Sequence, residues 1–404
     1  MRSTAPRRSQ AAPSLPCTTP QPTSAAASAP PEILERIFRF AITGELDVPS
    51  KAWQLRHSGV RNYQVPLVNR HWNGPATRIL YWQLHVIERL MEWKWRTNAL
   101  LARTLEESPR LQVHVRTLYL DVRVRSGKYE EQVGGLSVRI LRCCPLVQHL
   151  WIFGRTPSLL DGVLTAITTF TKLRYLYVSS YMNDPFCSFA RLEAMMDGWP
   201  NLERLKVEGD IITDDSGHIT QSDSKPPMET YIPRLDLARA PRSLEGFTRI
   251  VPNLGELSLE SCQEPDLFLP HLQKWKSTLR CLKLRLTTPE ADWEAITTGL
   301  CVFERLHKLV IRGKFPLRFL KLSELPDTLE ELKLMVRRID LPILFEVLGQ
   351  KLPHSIQTVD FCADYGVDSD DPRRDIVQEL HAFCEKRHWK YIFCNWRRHR
   401  ISIS

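Results

Sequence analysis

Leu329-Glu330-Glu331-Leu332-Lys333-Leu334 carries the spacing L-x-x-L-x-L, a hydrophobic period that fits one short strand. In an extended strand, successive side chains point to opposite faces, so Leu332 and Leu334 share one face and Lys333 lies on the other. Copies of this spacing begin at Leu173, Leu202, Leu254, Leu279, Leu306 and Ile356, and weaker copies begin at Val115, Val147, Ile232 and Trp389. From Val147 to Ile356 the copies begin 22 to 30 residues apart. Such regularity predicts a stack of repeated units.

The segments between the copies carry apolar residues at helical spacing. The helix candidates are residues 158–170, 189–197, 243–250, 291–303 and 341–352. Proline residues punctuate the boundaries between them, as at Pro200, Pro252, Pro326 and Pro353. The alternation of one strand with one helix predicts an α/β repeat.

These repeats resemble the leucine-rich-repeat family over residues 112–396. The resemblance implies a solenoid with parallel strands on the concave face and helices on the convex face. The family's Asn or Cys, three residues past the last strand leucine, occurs here only as Cys262. We therefore expect an irregular arc, because the side-chain ladder that braces the family's loops is mostly missing.

The N-terminal part of the chain has a different composition. Residues 1–29 are rich in Pro, Ala, Ser and Thr, lack acidic residues, and are predicted to be disordered because they offer little apolar surface to bury. Pro30 and Glu32 then favour the start of a helix. Its apolar stripe consists of Ile33, Leu34, Ile37 and Phe38.

Two further apolar blocks, at residues 65–72 and 79–84, predict short helices. Helices of this size are too small to make a stable core alone. One interpretation of the three blocks is a helical cap that covers the first repeat of the array.

The three blocks also resemble the F-box family, which reads L-P-P-E-I-L-x-x-I-F, then L-V-C-x-x-W, then a short L-W-x-x-L-like end. The matching residues are Pro30, Pro31, Glu32, Ile33, Leu34, Ile37, Phe38, Leu67, Val68, Trp72, Leu80, Trp82 and Leu84. Ala29 replaces the leading leucine, Asn69 replaces the cysteine, and the middle interval is longer than usual. The resemblance implies a small all-α module over residues 30–84.

An F-box implies a substrate-recognition subunit of an SCF-type (Skp–cullin–F-box) ubiquitin ligase. The module would bind a Skp-family adaptor and through it a cullin, and the repeats would bind a target protein. The residues expected to contact the adaptor are Pro31, Ile33, Leu34, Ile37, Leu67, Val68 and Trp72. The alternative is a repeat scaffold for protein–protein interaction with no ubiquitin-ligase role.

Two segments flank the repeats. Residues 85–111 carry apolar residues at roughly helical spacing and predict a linker helix. Residues 397–404 form a basic tail, whose charges favour a solvated segment.

The residues that alternate with the strand leucines form an outward face. Its expected target-binding residues are Tyr119, His149, Trp151, Phe153, Tyr175, Tyr177, Arg204 and Lys206. Further along this face the residues are charged, including Arg234, Asp236, Glu256, Glu260, Lys283, Arg285, Lys308, Arg312, Glu331 and Lys333. Aromatic anchors beside mixed charges are typical of protein-binding sites. In the alternative, the aromatic residues are covered by the linker helix or by residues 209–228.

The sequence contains no G-x-S-x-G, phosphate-binding glycine loop, H-E-x-x-H or dinucleotide fingerprint. His381, Cys384, His388 and Cys394 are close in sequence but fit no usual zinc spacing. We therefore expect a binding protein that is not an enzyme and that uses no cofactor or metal.

Composition limits the remaining possibilities. The 55 basic and 46 acidic residues give a net charge of +9 over 404 residues, an excess that does not by itself indicate nucleic-acid binding. The ten cysteines form no C-x-x-C, and no N-x-[ST] occurs, which favours a reducing compartment. Because no apolar run approaches the ~20 residues that span a bilayer, we expect a cytoplasmic or nuclear protein without membrane or nucleic-acid partners.

Overall fold

The computed structural model describes most of the repeat region and two segments of the N-terminal region. The described residues are 29–43, 70–87, 92–122, 130–154, 157–180, 187–209, 232–238, 244–262, 265–286, 293–313, 321–336, 349, 353–364, 374–386 and 391–394. The chain divides into two compact units, Met1–Leu80 and Tyr81–Ser404.

Helices and strands alternate along most of the described chain. The helices are α1 Pro31–Thr43, α2 Arg70–Trp82, α3 Glu92–Glu107, α4 Pro109–Gln112, α5 Glu130–Arg142, α6 Pro157–Ile167, α7 Phe189–Met196, α8 Glu245–Ile250, α9 Pro265–Leu272, α10 Trp293–Leu300 and α11 Arg374–Lys386. The strands are β1 Gln83–Ile87, β2 Thr117–Val122, β3 His149–Gly154, β4 Tyr175–Ser180, β5 Arg204–Glu208, β6 Arg234–Leu237, β7 Glu256–Cys262, β8 Cys281–Leu286, β9 Lys308–Gly313, β10 Glu331–Val336, β11 Thr358–Asp364 and β12 Tyr391–Cys394.

Within the described residues, the strands form one twelve-stranded sheet whose order follows the chain from β1 to β12. Each strand pairs in parallel with the next, as in the pairing of β9 with β10 and of β10 with β11. A parallel pair needs a connection that returns the chain to the same end of the sheet, which the intervening segments provide. The predicted α/β repeat is confirmed.

The core of the second unit is built from the repeated leucines. Leu329, Leu332 and Leu334 are fully buried, and in the register Leu332 lies beside Leu309 on one side and Val359 on the other. The helices contribute further apolar residues to this continuous core. Burial of one such side chain stabilises the fold by about 1.5–3 kcal/mol, so the energy is distributed along the array.

Backbone hydrogen bonds join the turns that precede successive strands. Arg174 N–H donates to Gln148 O at 2.8 Å, and Glu203 N–H donates to Arg174 O at 2.8 Å. Side chains add to the ladder at some turns, since Asn201 Nδ2 donates to Thr171 O at 2.6 Å. These contacts brace neighbouring repeats.

The prediction of a helix that begins at residue 85 is wrong. Gln83–Ile87 forms β1, which pairs with β2 and opens the sheet, and helical structure resumes at Glu92–Glu107 and Pro109–Gln112. Leu84 and Val86 are buried whereas His85 is exposed, so the period of two and the pairing with β2 prevail over the helical pattern. For the same reason, the predicted all-helical module cannot extend to residue 84.

Other differences concern the number and limits of helices. The structure contains α5 and α9, which were not among the predicted helices, and residues 70–82 form one helix where two short ones were expected. The predicted helix at 341–352 lies outside the described residues except for residue 349. The tails at 1–28 and 395–404 also lie outside them.

The described part of the first unit contains α1 and most of α2. Leu34 and Phe38 of α1 form a buried cluster with Ala76 and Ile79 of α2. Trp72 packs against this cluster, with its ring centroid 5.4 Å from that of Phe38. The two helices therefore form a small core of their own.

One turn between repeats leaves no room for a side chain. A Cβ atom at Gly198, in the turn after α7, would lie 2.1 Å from the Thr168 carbonyl oxygen. We predict that Gly198→Ala destabilises the protein by about 1–3 kcal/mol, because backbone must move. Gly135→Ala is the matched control, since a Cβ there meets no atom within 4 Å and alanine favours the helix by up to about 1 kcal/mol. The measurement is urea unfolding, and equal midpoints for the two variants would contradict the close approach.

Candidate protein-binding surfaces

The apolar stripe of α1 has two sides. Leu34 and Phe38 are buried, being 2% and 5% exposed, whereas Ile33 and Ile37 are 45% and 53% exposed. Ile33 and Ile37 are four residues apart and therefore neighbours on one side of the helix. The first unit thus presents a pair of isoleucine side chains to solvent.

Charges hold the buried side of α1 in place. The Arg78 guanidinium forms an ion pair with the Glu35 carboxylate, which ties α2 to α1. Glu35 is half-buried, whereas the next residue, Arg36, is exposed. Because α1 is fixed through Leu34, Glu35 and Phe38, the direction of Ile33 and Ile37 is set by the fold of the unit.

The predicted adaptor-binding residues therefore divide into three groups. Pro31, Ile33 and Ile37 are exposed, whereas Leu34 belongs to the core of the unit and Trp72 is half-buried against that core. Leu67 and Val68 lie outside the described residues.

In the second unit, the side chains that alternate with the core leucines form what we call the outer face of the sheet. His85, Tyr119 and Trp151 occupy equivalent positions on β1, β2 and β3. The His85 and Tyr119 rings stack with centroids 4.4 Å apart, and the Tyr119 and Trp151 rings stack at 4.3 Å. Strand spacing of ~4.8 Å places the rings at stacking distance.

This stacking buries rings that were predicted to be available. Tyr119 is only 8% exposed and Trp151 only 6%. Phe153, Tyr175 and Tyr177 are half-buried, and His149 is exposed. Each stacked ring covers a face of its neighbour, so the accessible aromatic surface consists mainly of the half-buried residues and His149.

Two cations on β5 lie beside the aromatic residues of β4. The Arg204 guanidinium lies 5.1 Å from the centre of the Tyr175 ring, and Lys206 Nζ lies 4.9 Å from that of Tyr177. Burial raises the pKa of Tyr175 to about 12. Burial also raises the pKa of Tyr177, and its hydroxyl donates a hydrogen bond to the Glu208 carboxylate. Both phenols are therefore neutral hydrogen-bonding groups at physiological pH.

Beyond β5 the outer face contains what we call the basic cleft, a depression of about 370 Å³. Eight cationic side chains line it, together with the carboxylates of Asp236 and Glu260. The cations are Arg204, Lys206, Arg234, Lys283, Arg285, Lys308, Arg312 and Lys333. The sequence predicts these charges on the outer face, and the structure brings them together around one cleft.

Asp236 organises one end of the basic cleft. The whole residue is only 6% exposed. Its carboxylate accepts hydrogen bonds from Arg204 Nε at 2.6 Å and from Arg234 Nε at 3.2 Å. Two guanidinium partners offset the cost of burying this carboxylate. The sequence marks Asp236 only as one outward charge among several. Arg234 lies two residues before it on β6, whereas the contact with Arg204 depends on the register of β5 and β6.

His85 belongs to this outer face but was not predicted to lie on it. The sequence analysis assigns it to a linker helix, although its alternation with the buried Leu84 and Val86 is a period-two signal that favours a strand. His85 extends the stacked rings by one strand.

Comparison of the chain with models of known protein families finds no match, and comparison with curated proteins finds no similar sequence. Among the described residues, no three His, Cys, Asp or Glu side chains come together as a metal site. Within the described residues, none of the helices combines the length with the apolar composition that a membrane-spanning segment needs.

Replacement of Trp151 tests whether the aromatic residues are structural. Because the ring is buried and stacked on Tyr119, Trp151→Ala should destabilise the protein by about 3–5 kcal/mol. His149→Ala on the same strand removes an exposed ring whose centroid lies 6.0 Å from that of Trp151 and 6.3 Å from that of Tyr175, and should cost no more than about 1.5 kcal/mol. Thermal unfolding distinguishes the two variants, and an unchanged midpoint for Trp151→Ala would show that this ring is not packed as described.

The titration of His149 gives a second test. The residue is exposed, but its ring lies against the edges of Trp151 and Tyr175. This partial desolvation lowers the pKa of His149 below the ordinary value of 6.5, with the Arg174 charge acting in the same direction and Glu203 opposing it. As the pH falls below 6.5, the unfolded chain binds a proton more readily than the folded one, so this residue reduces stability in acid. Between pH 7.5 and 5.5 the urea midpoint should therefore fall less for His149→Gln than for the wild type. An equal fall would contradict the lowered pKa.

Proposed function

We propose that this protein is the substrate-recognition subunit of an SCF-type ubiquitin ligase. The F-box-like module would bind a Skp-family adaptor through the exposed side of α1, and the leucine-rich-repeat-like unit would bind a target protein on its outer face. The proposal combines the resemblance of the three sequence blocks to an F-box with the geometry of the two units.

The exposed pair Ile33 and Ile37 carries the proposal. A soluble helix normally turns its largest apolar residues inward, and α1 does so with Leu34 and Phe38. Its second apolar side, 45% and 53% exposed at Ile33 and Ile37, has the spacing by which a helix docks into an apolar groove of a partner.

The surroundings of the pair suit such a partner. Pro31 and Glu32 are exposed at the start of α1 and Arg36 is exposed between the two isoleucines. Apolar anchors inside a polar rim form the usual arrangement of an interface in which a few buried residues supply most of the binding energy.

The second unit supports a role in target recognition. Its outer face joins half-buried rings on β3 and β4 to a line of cations that begins at Arg204 and Lys206. Rings contribute affinity, and charges select among partners. In this proposal, ubiquitin transfer takes place on other subunits, and the chain raises the effective concentration of target lysines near them.

Replacement of Ile33 and Ile37 by aspartate in one variant tests adaptor binding. Because each is a candidate anchor worth about 2 kcal/mol, the double variant should bind a purified Skp-family adaptor at least about 100-fold more weakly than the wild type. The measurement is isothermal titration calorimetry with the full chain. Leu34 is left intact because its replacement would damage the core of the first unit.

A double variant in the second unit provides the matched control. Leu100 and Val113 are 55% and 46% exposed, so Leu100→Asp with Val113→Asp makes the same chemical change on surfaces that the proposal does not use. This control should bind the adaptor as the wild type does. Equal adaptor binding by both double variants would show that Ile33 and Ile37 do not contact the adaptor and would remove the observation that carries the proposal. Absence of adaptor binding by the wild type would rule out the ligase role and leave the repeat scaffold.

A further inference from the structure

The basic cleft is formed by the alternation of long and short side chains across the strands. Ser258, Lys283, Val310 and Lys333 occupy equivalent positions on β7, β8, β9 and β10. Ser258 and the buried Val310 provide a low floor on either side of Lys283. The Lys283 side chain therefore rises from the middle of the depression.

Most of the cations that line the cleft are already neutralised. Lys206 pairs with Glu208 at 2.8 Å, Lys333 with Asp360 at 2.8 Å, and Arg285 more loosely with Glu260 at 3.8 Å. Arg204 and Arg234 share Asp236, Arg234 also reaches Glu256, and Lys308 pairs with Glu331. Six carboxylates thus face eight cations.

Lys283 and Arg312 account for the excess of two positive charges. Within the described residues, neither side chain forms an ion pair, although both line the cleft. Arg312 lies directly beside Arg285 in the register of β8 and β9. Like charges at paired positions are destabilising, so a bound anion would reduce the repulsion between these two guanidinium groups.

The charge balance selects among anions. A nucleic acid carries one negative charge per ~1.7 Å of duplex axis, and it would meet the lining carboxylates Asp236 and Glu260 as well as the cations. A segment with a few separated carboxylates matches an excess of two charges. The cleft is lined from β5 to β10, and six strands at ~4.8 Å span ~24 Å, the length of about seven extended residues.

We propose that the basic cleft binds an extended, carboxylate-rich segment of the target protein, with Asp or Glu side chains paired to Lys283 and Arg312. The inference rests on the proposed function, because it names the chemical class of the segment that the outer face would recognise. Arg285 lies beside Arg312 and contributes to the same site, because a carboxylate bound between the two guanidinium groups would offset their mutual repulsion.

The test uses the full chain and fluorescein-labelled peptides of about ten residues, which is long enough to cross the cleft. One peptide carries central Asp and Glu residues, a second carries Asn and Gln in their place, and a third carries phosphoserine. A single-stranded DNA of similar length is the fourth probe. Fluorescence anisotropy at low and physiological salt gives the affinities, because exposed charge pairs weaken with ionic strength.

The cleft variant is Lys283→Gln with Arg312→Gln, which removes two positive charges. Its matched control is Lys172→Gln with Arg305→Gln, which removes the same charge from two exposed residues outside the cleft. The acidic peptide should bind the wild type and the control within twofold of each other and the cleft variant at least about tenfold more weakly. The amide peptide should bind none of them measurably.

Three results would overturn the inference. Equal binding of the acidic peptide by the cleft variant and the wild type would place the site elsewhere. Tighter binding of DNA or of the phosphoserine peptide, lost in the cleft variant, would assign the cleft to a phosphate ligand. Absence of acidic-peptide binding to the wild type would remove the site altogether.

Adaptor affinity, measured on the same preparations, separates this inference from the proposed function. The cleft variant should bind the Skp-family adaptor as the wild type does, because its substitutions lie in the second unit. If the wild type binds the adaptor but not the acidic peptide, only the acidic-segment inference is refuted. Peptide binding without adaptor binding would refute only the ligase role.

Discussion

In-register parallel pairing of the strands determines which side chains of neighbouring repeats lie side by side. Because each strand from β1 to β12 pairs with its successor, residues at equivalent positions of neighbouring repeats lie ~4.8 Å apart. On the core side this places leucine beside leucine, as at Leu309, Leu332 and Val359. On the outer face the same spacing stacks the rings of Tyr119 and Trp151 and brings Arg285 beside Arg312. One geometric rule therefore produces both the stability of the array and the chemistry of its surface.

The two units offer different kinds of surface. Along α1, exposed Ile33 and Ile37 offer non-directional apolar contact, which suits a constant partner that covers the helix. The outer face offers cations, some stacked on rings and some paired with carboxylates, which discriminate among partners by charge. A protein that connects one constant partner with several selected targets needs two surfaces of these different kinds. The ligase-subunit proposal follows from this division together with the F-box resemblance.

Much of the fold could be predicted because its signal is local. The leucine spacing at 329–334 reports burial on one strand face whatever the partners are, and the helices around 158–170 and 189–197 follow from apolar spacing. Strand β1 was missed because pairing with β2, a long-range contact, prevails over a helical pattern. The outward residues of the candidate site were identified by alternation alone. The burial of Tyr119 and Trp151, and the pairing of Asp236 with Arg204, depend on neighbouring strands and could not be predicted from one segment.

Hydrogen–deuterium exchange of the full chain, with and without a purified Skp-family adaptor, measures whether a partner covers the exposed apolar side of α1. The account predicts slower exchange in residues 31–43 when the adaptor is present, with unchanged exchange in the strands of the basic cleft. Unchanged exchange in residues 31–43 at saturating adaptor would contradict the account.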